Sequence, residues 1–296
     1  MRREPCITRE LIRERAEKLE QNFSAILAEA VLEEILRRME ATGLTETFWL
    51  CTGEANSSAQ EGLLLEYACL VVQDAKDTRT DQELLAGQAD LFKEKVLGDC
   101  TDRGVSCEVS QFANQRYVEL QVSAAVEAMH VPLRIRLYLL RDDRLVPTRE
   151  VFDEILFPER KITCKRVPPE YLLAKKYVRI VAQLELISCI GEYYEIWSIL
   201  EHCSVDGRRV RDYVEQLCPQ SGIRAKEDRI AVIRSYRDYT YMKKRWKVFL
   251  RSIHRKEPEW EQVIERFVCF FEPIWQAIEQ DQVFFGDWMP QLNRFL

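Results

Sequence analysis

Apolar residues recur at spacings of three and four through Ile12, Ala16, Leu19, Phe23, Ile26, Leu27, Val31, Ile35 and Met39, the period of a helix with one buried face. The spacing predicts a helix over 8–40, with Thr8 and Glu10 at its start and Thr42-Gly43 as its stop. From residue 46 the period changes. Strands are expected at 46–51, 64–72, 105–111, 116–126 and 132–140, with a helix at about 80–98. The clearest strand is the last, where Leu133, Ile135, Leu137 and Leu139 alternate with Arg134, Arg136 and Tyr138, so one face is buried and the other is basic. After Pro147 the pattern reads as helical to the end, and Pro168-Pro169 open the first long helix as prolines do at a first turn. Leu173, Tyr177, Ile180, Leu184 and Ile187 line one face of it, and Tyr193, Ile196, Trp197 and Leu200 line another after Gly191. Shorter periodic stretches follow at 207–218 and 226–254, and a final one runs from Trp260 to Ile278. There is no internal repeat, low-complexity tract or long linker. The expectation is an α+β fold, with an α/β subdomain over 1–160 and a helical subdomain over 161–296.

Composition adds limits. With 296 residues, 47% hydrophobic and 10% aromatic, the chain can fill a sizeable core. No apolar run approaches the roughly 18 residues of a spanning helix, and MRREPCITRELIRERAEKLE is charged throughout, so a soluble cytoplasmic protein without a membrane partner is expected. Ten cysteines are scattered singly, without a C-x-x-C pair, and there are three histidines. That distribution fits reduced thiols in a core rather than a disulfide framework or a zinc site. The net charge of −6 hides a contrast: residues 234–256 carry nine Lys or Arg against one acid, Asp238. A basic segment on an acidic body suggests a polyanionic partner.

One stretch raises a question of chemistry. FWLCTGEANSSAQEG, residues 48–62, is an apolar strand running into a small-residue turn and a polar segment, a common way to present backbone N–H groups to a phosphate. G-x-S-x-G, G-x-x-x-x-G-K and G-x-G-x-x-G are all absent, which leaves no support for a hydrolase elbow or a P-loop. No DNA-binding motif is present either.

PPEYLLAKKYVRI followed by GEYYEIWSIL, within residues 168–200, resembles the signature of the AbiEii/AbiGii-type nucleotidyltransferase toxins, and RWKVFLRSIHRKEPEWEQVIERFVCFFEPIWQAI is similar to that family's C-terminal helices. The resemblance implies a nucleotidyltransferase-like mixed sheet with flanking helices, followed by a helical subdomain. In the family, a glycine-rich turn after the first strand holds a nucleoside triphosphate. A D-x-D on the next strand and a third acid on a later one bind Mg²⁺ through oxygen, and some members act on transfer RNA.

Residue by residue, the match is incomplete. FWLCTGEAN keeps Leu50, Gly53 and Ala55 of the turn, but Thr52 stands for its first glycine and Glu54 follows Gly53, where a carboxylate would repel a triphosphate. LLLEYACLVVQD contains no D-x-D: it offers Tyr67, Cys69 and Val71 on one face and Glu66, Ala68 and Leu70 on the other. Arg134 or Arg136 holds the place of the third acid. Asp74, Asp77, Asp81 and Asp142-Asp143 lie nearby, in loop-like context and at the wrong spacing for one strand face. Lys176 matches the family's lysine, Glu192 and Glu195 stand for two aspartates, and Gly191 replaces the motif's arginine.

The expectation is therefore a degenerate family member, without catalytic or metal-binding residues, in which Thr52, Gly53 and Lys176 are what remains of nucleotide binding. It would act by binding RNA or a cognate protein partner through Arg134, Arg136, Lys243, Lys244, Arg245, Lys247 and Arg251. Three alternatives stay open. Relocated carboxylates would make it an active Mg²⁺-dependent transferase that moves a nucleotide from a nucleoside triphosphate onto RNA, such as transfer RNA, or protein; a structural adaptor would need no ligand; and Lys176, like the 234–256 cations, would on the plainest reading be a solvated helix residue, with the aromatics of that segment facing the core.

Overall fold

The computed structural model describes residues 5–52, 63–70, 79–98, 103–114, 117–140, 145–223, 229–252 and 255–296. The fold is an α+β mixture, and the chain divides into two compact units, Met1–Val167 and Pro168–Leu296.

In the first unit the expected N-terminal helix is two, α1 (Arg9–Leu19) and α2 (Phe23–Ala41). The periodicity runs through the break, but Glu20 adopts the left-handed conformation with φ 53° and caps α1, and the Asn22 side chain accepts from Ser24 N at 2.8 Å to start α2. Strands β1 (Phe48–Thr52) and β2 (Leu63–Leu70) lead to α3 (Asp81–Phe92), whose start is a Thr80/Glu83 capping box. The meander β3 (Val105–Ala113), β4 (Val118–Val126) and β5 (Met129–Leu140) follows.

The reading of an all-helical chain after Pro147 is corrected by a hairpin of β6 (Thr148–Asp153) and β7 (Lys161–Arg166). Ile162 and Cys164 are its buried alternate positions, too short a run to stand out among charged neighbours. Among the described residues the sheet has the order β3-β4-β5-β2-β1-β7-β6, with β2–β5 and β1–β7 parallel. Ile26, Ala30, Val31, Ile35 and Met39 of α2 join Phe48, Tyr67, Leu120, Val122, Ile135 and Leu137 in one core, and Phe92 of α3 meets Phe48 and Tyr67 at ring-centroid distances of 5.2 and 5.6 Å.

The second unit begins with Pro168 as the N-cap of α4 (Pro169–Gln183). It continues through α5 (Gly191–His202), β8 (Val205–Asp206), α6 (Gly207–Leu217), α7 (Arg229–Ser235), α8 (Thr240–Ser252) and α9 (Trp260–Glu279), then β9 (Asp287–Met289) and β10 (Arg294–Phe295). The last two pair with β8 in a three-stranded sheet, order β10-β9-β8, a second departure from the helical expectation. Aromatic rings dominate this core: Tyr177 stacks on Phe271 at 4.4 Å, and Tyr193 meets Trp260 edge-on at 5.1 Å. Trp246, Trp260 and Trp288 each donate Nε1–H to a backbone carbonyl at 2.8 Å, so their burial leaves no indole donor unpaired. Among the described residues no helix is long and apolar enough to cross a membrane.

Candidate functional site

Thr52 ends β1, and Gly53 lies outside the described residues. The register of β1 against β2 slips between Leu50 and Thr52, so Leu50 pairs with Tyr67 while Thr52 pairs with Glu66. This is a bulge at the strand end, a device that re-aims the chain as it leaves a sheet. Glu66 in turn is the register partner of Arg136, and Arg136 of Glu119. A single row thus crosses four strands, Thr52 to Glu119, where the resemblance would gather its acids.

The chemistry of this row is different. Arg136 Nε donates to Glu119 Oε2 at 2.7 Å, and its guanidinium lies over the Tyr117 ring at 5.0 Å from the centroid. Burial works to raise the Glu119 carboxyl, but hydrogen bonds from Arg136 and Gln121, and the charges of Arg136 and Arg134, hold it below the usual carboxylate value. Burial likewise opposes the Arg136 cation, and Glu119 more than restores it. Tyr67 and Cys69 are fully buried in the core. Mg²⁺ wants several oxygen ligands in near-octahedral order; a buried phenol and thiol, and a carboxylate already committed to arginine, do not fit it. Asp74, Asp77 and Asp142-Asp143 lie outside the described residues, and Asp81 sits exposed in the first turn of α3. Arg134 lines an open concavity of about 680 Å³ on β3, β4 and β5, whose wall also carries Glu108, so its charge is mixed.

Lys176 has a structural role in the second unit. Its Nζ lies 3.4 Å from Glu192 Oε2 and also pairs with Glu195, while Arg179 pairs with Glu192. Glu192 is buried at the start of α5, and the four charges tie α4 to α5. A Cβ at Gly191 would stand 2.9 Å from the Phe249 ring and 3.4 Å from Cys189 Sγ, so a larger side chain there would have to displace that ring; Arg179, unremarked in the sequence, is a partner of Glu192.

The basic segment is sorted by α8 into three classes. Met242, Trp246 and Leu250 are buried and Phe249 packs against the same core, as the bland reading of the aromatics expects; Ile253 lies outside the described residues. Several cations are used internally. Arg245 donates to the carbonyls of Glu185, Ile187 and Ser188; Lys243 pairs with Glu261 and Asp238; and Arg234 pairs with Glu272. Arg245 and Lys243, expected as contact residues, are thus engaged within the fold. The third class is Lys244, Lys247 and Arg251, exposed and without an acidic partner among the described residues. They follow one another at spacings of three and four, so one helical stripe holds all three.

Beside this stripe runs a groove of about 530 Å³ between α8 and the chain entering α5, lined by Ile190, Gly191, Tyr241, Lys244, Val248 and Phe249 among others. Nothing in the sequence pointed to it, because its two walls lie some fifty residues apart. Tyr239 and Tyr241 are 43% and 51% exposed, so the segment's aromatics divide between core and surface.

No protein-family model and no curated protein matches the sequence. Among solved structures, the chain is similar to JHP933 of Helicobacter pylori, with a TM-score of 0.40 and 10% identity over 87% of this chain and 93% of that one. It is also similar to a candidate nucleotidyltransferase of H. pylori, with a TM-score of 0.37 and 9% identity over 87% of this chain and 96% of the other.

Proposed function

We infer that this protein is a nucleotidyltransferase-like scaffold, related to the AbiEii/AbiGii-type toxins, that acts by binding a polyanion instead of by metal-dependent nucleotide transfer. RNA is the polyanion that best suits the reading. The observation that carries it is the stripe of Lys244, Lys247 and Arg251 on α8, three exposed cations without an acidic partner among the described residues of a chain of net charge −6. The Arg136–Glu119 pair supports the loss of transfer chemistry, since it commits one carboxylate of the row where the resemblance would gather its acids.

Two assays on the full chain test this. Binding to total transfer RNA should weaken steeply with salt, and reversing all three charges, Lys244→Glu, Lys247→Glu and Arg251→Glu, should abolish it. If each cation meets one phosphate of a single strand, neutralising all three should flatten the log–log salt slope by about 2. Mg²⁺ with each of the four nucleoside triphosphates should leave the melting temperature unchanged and transfer no label to RNA. Mg²⁺-dependent stabilisation with labelled RNA would overturn the binding-only reading in favour of an active transferase. RNA affinity unaffected by the triple variant would remove α8 from the contact surface.

A further inference from the structure

We propose that the α8 surface is built for single-stranded nucleic acid, with bases stacked at Tyr239 and Tyr241 and phosphates held along Lys244, Lys247 and Arg251. This rests on the polyanion reading above and adds to it the form of the ligand.

The cations alone would suit any polyanion; the aromatics beside them narrow the choice. The Tyr236, Tyr239 and Tyr241 rings follow one another with centroids 5.9 Å apart at each step. Tyr236 anchors the series: it is buried, and its hydroxyl donates to Glu185 at 2.7 Å. Tyr241 is backed by the Arg245 guanidinium, 5.6 Å from the ring centroid, and Arg245 is itself held by three backbone carbonyls. The two half-exposed rings are therefore positioned by a fixed frame, which limits the ordering cost that a stacking platform would impose on binding.

The apolar groove starts at the same ring. Tyr241, Val248 and Phe249 give it apolar lining, Gly191 adds no side chain to it, and Lys244 lines it as well. At about 530 Å³ it lies within the range of small-molecule sites and has room for a nucleobase. Lys244 belongs to the groove and to the cation stripe alike, so one residue joins a place for a base to a place for its phosphate. From Lys244 to Arg251 is seven residues, roughly 10 Å along the helix axis, enough to follow a strand past more than one phosphate.

The chemistry separates the candidates. A duplex hides its base faces and would meet only the cations, leaving the tyrosines and groove unused. An acidic peptide would match the charges but would not supply an aromatic face at each step for the adjacent rings. A single strand uses both, and tolerates any base because every base offers a π-face.

Fluorescence anisotropy with a labelled 20-nucleotide single-stranded RNA, the same RNA as a duplex, and polyglutamate as competitor tests the proposal. The single strand should bind at least tenfold tighter than the duplex, and polyglutamate should compete poorly. Tyr241→Ala should weaken single-strand binding by about 5- to 150-fold per stacked base lost, with duplex binding and melting temperature unchanged. Tyr241→Leu, which keeps apolar bulk, should lose nearly as much; full binding by the leucine variant would replace stacking with simple apolar contact and overturn the proposal. Equal affinity for strand and duplex, with no effect of Tyr239→Ala or Tyr241→Ala, would refute the single-strand form and leave polyanion binding standing. Polyglutamate as tight as RNA would indicate an acidic protein partner instead. Failure of every polyanion to bind would overturn the proposed function with it.

Discussion

Removing Arg103 tests what holds the first unit together. Its side chain is 2% exposed and donates to both carboxylate oxygens of Glu154, at 3.3 and 2.7 Å, with Glu34 at 3.4 Å and the Phe157 ring 4.7 Å away. Glu34 has two other partners, Arg37 and Arg38, and Arg38 also donates to the carbonyls of Val96 and Val105. Arg103→Ala therefore strands mainly Glu154, a carboxylate 5% exposed. Breaking a buried pair by removing one partner costs about 3–5 kcal/mol, whereas replacing both partners by apolar groups is often neutral. At roughly 2–4 °C per kcal/mol for a domain of this size, the first unit should melt about 6–20 °C earlier. Arg103→Met with Glu154→Leu should recover most of that, because no charge is left buried alone. The assay is thermal and urea unfolding of the full chain, followed by a probe in each unit. A loss below about 1 kcal/mol for Arg103→Ala, or a double variant as damaged as the sum of the singles, would refute the reasoning.

Glu33 should make stability fall with rising pH. Burial raises its carboxyl first of all; the Ile155 N–H, which both oxygens accept at 2.8 and 2.9 Å, lowers it, the charges of Glu29 and Glu154 raise it, and the result is pushed up to about 8. With a folded value above the ordinary 4.5, its contribution is fully present below pH 4.5 and is lost as pH rises through about 8. Urea midpoints of wild type and Glu33→Gln at pH 5 and pH 8.5 should accordingly diverge in the variant's favour at the higher pH, and a constant difference would contradict the assignment. Lys176→Gln should lower the second unit's stability by only about 1 kcal/mol, because the buried Glu192 keeps Arg179 as a partner, and should leave RNA affinity unchanged. Loss of affinity at unaltered stability would make Lys176 a ligand-binding residue after all.

Much of the architecture was legible where periodicity ran long. The alternation at 132–140 places β5, the 3.6-residue period from Trp260 marks α9, and Pro168-Pro169 marks the start of α4. The β6–β7 hairpin and the short β8-β9-β10 sheet were not, because strands of two to six residues give too few positions for a period to show. The break at Glu20 was hidden for a different reason. A left-handed residue lets the chain turn without interrupting the sequence of apolar spacings, and glutamate does not advertise that conformation as glycine would.

The basic segment marks the boundary of what a sequence can say about a surface. Residues 234–256 read as one cluster of cations, yet the fold assigns them unlike tasks. Arg245 satisfies carbonyls in the turn between α4 and α5, a place where its planar fork serves better than a lysine ammonium would. Lys243 and Arg234 balance acids of α9. Charge spent in this way cannot also attract a ligand strongly, so counting lysines and arginines overstates the electrostatic footprint. What remains for a ligand follows from helical geometry: Met242, Trp246 and Leu250 fix which side of α8 is buried, and Lys244, Lys247 and Arg251 fall on the other. The same rotation brings Tyr241 and Val248 to that side and opens the groove against Ile190. The aromatic and basic character of the surface therefore have one cause, the burial of the opposite face, and a variant that re-registers α8 by changing Trp246 should lose both together.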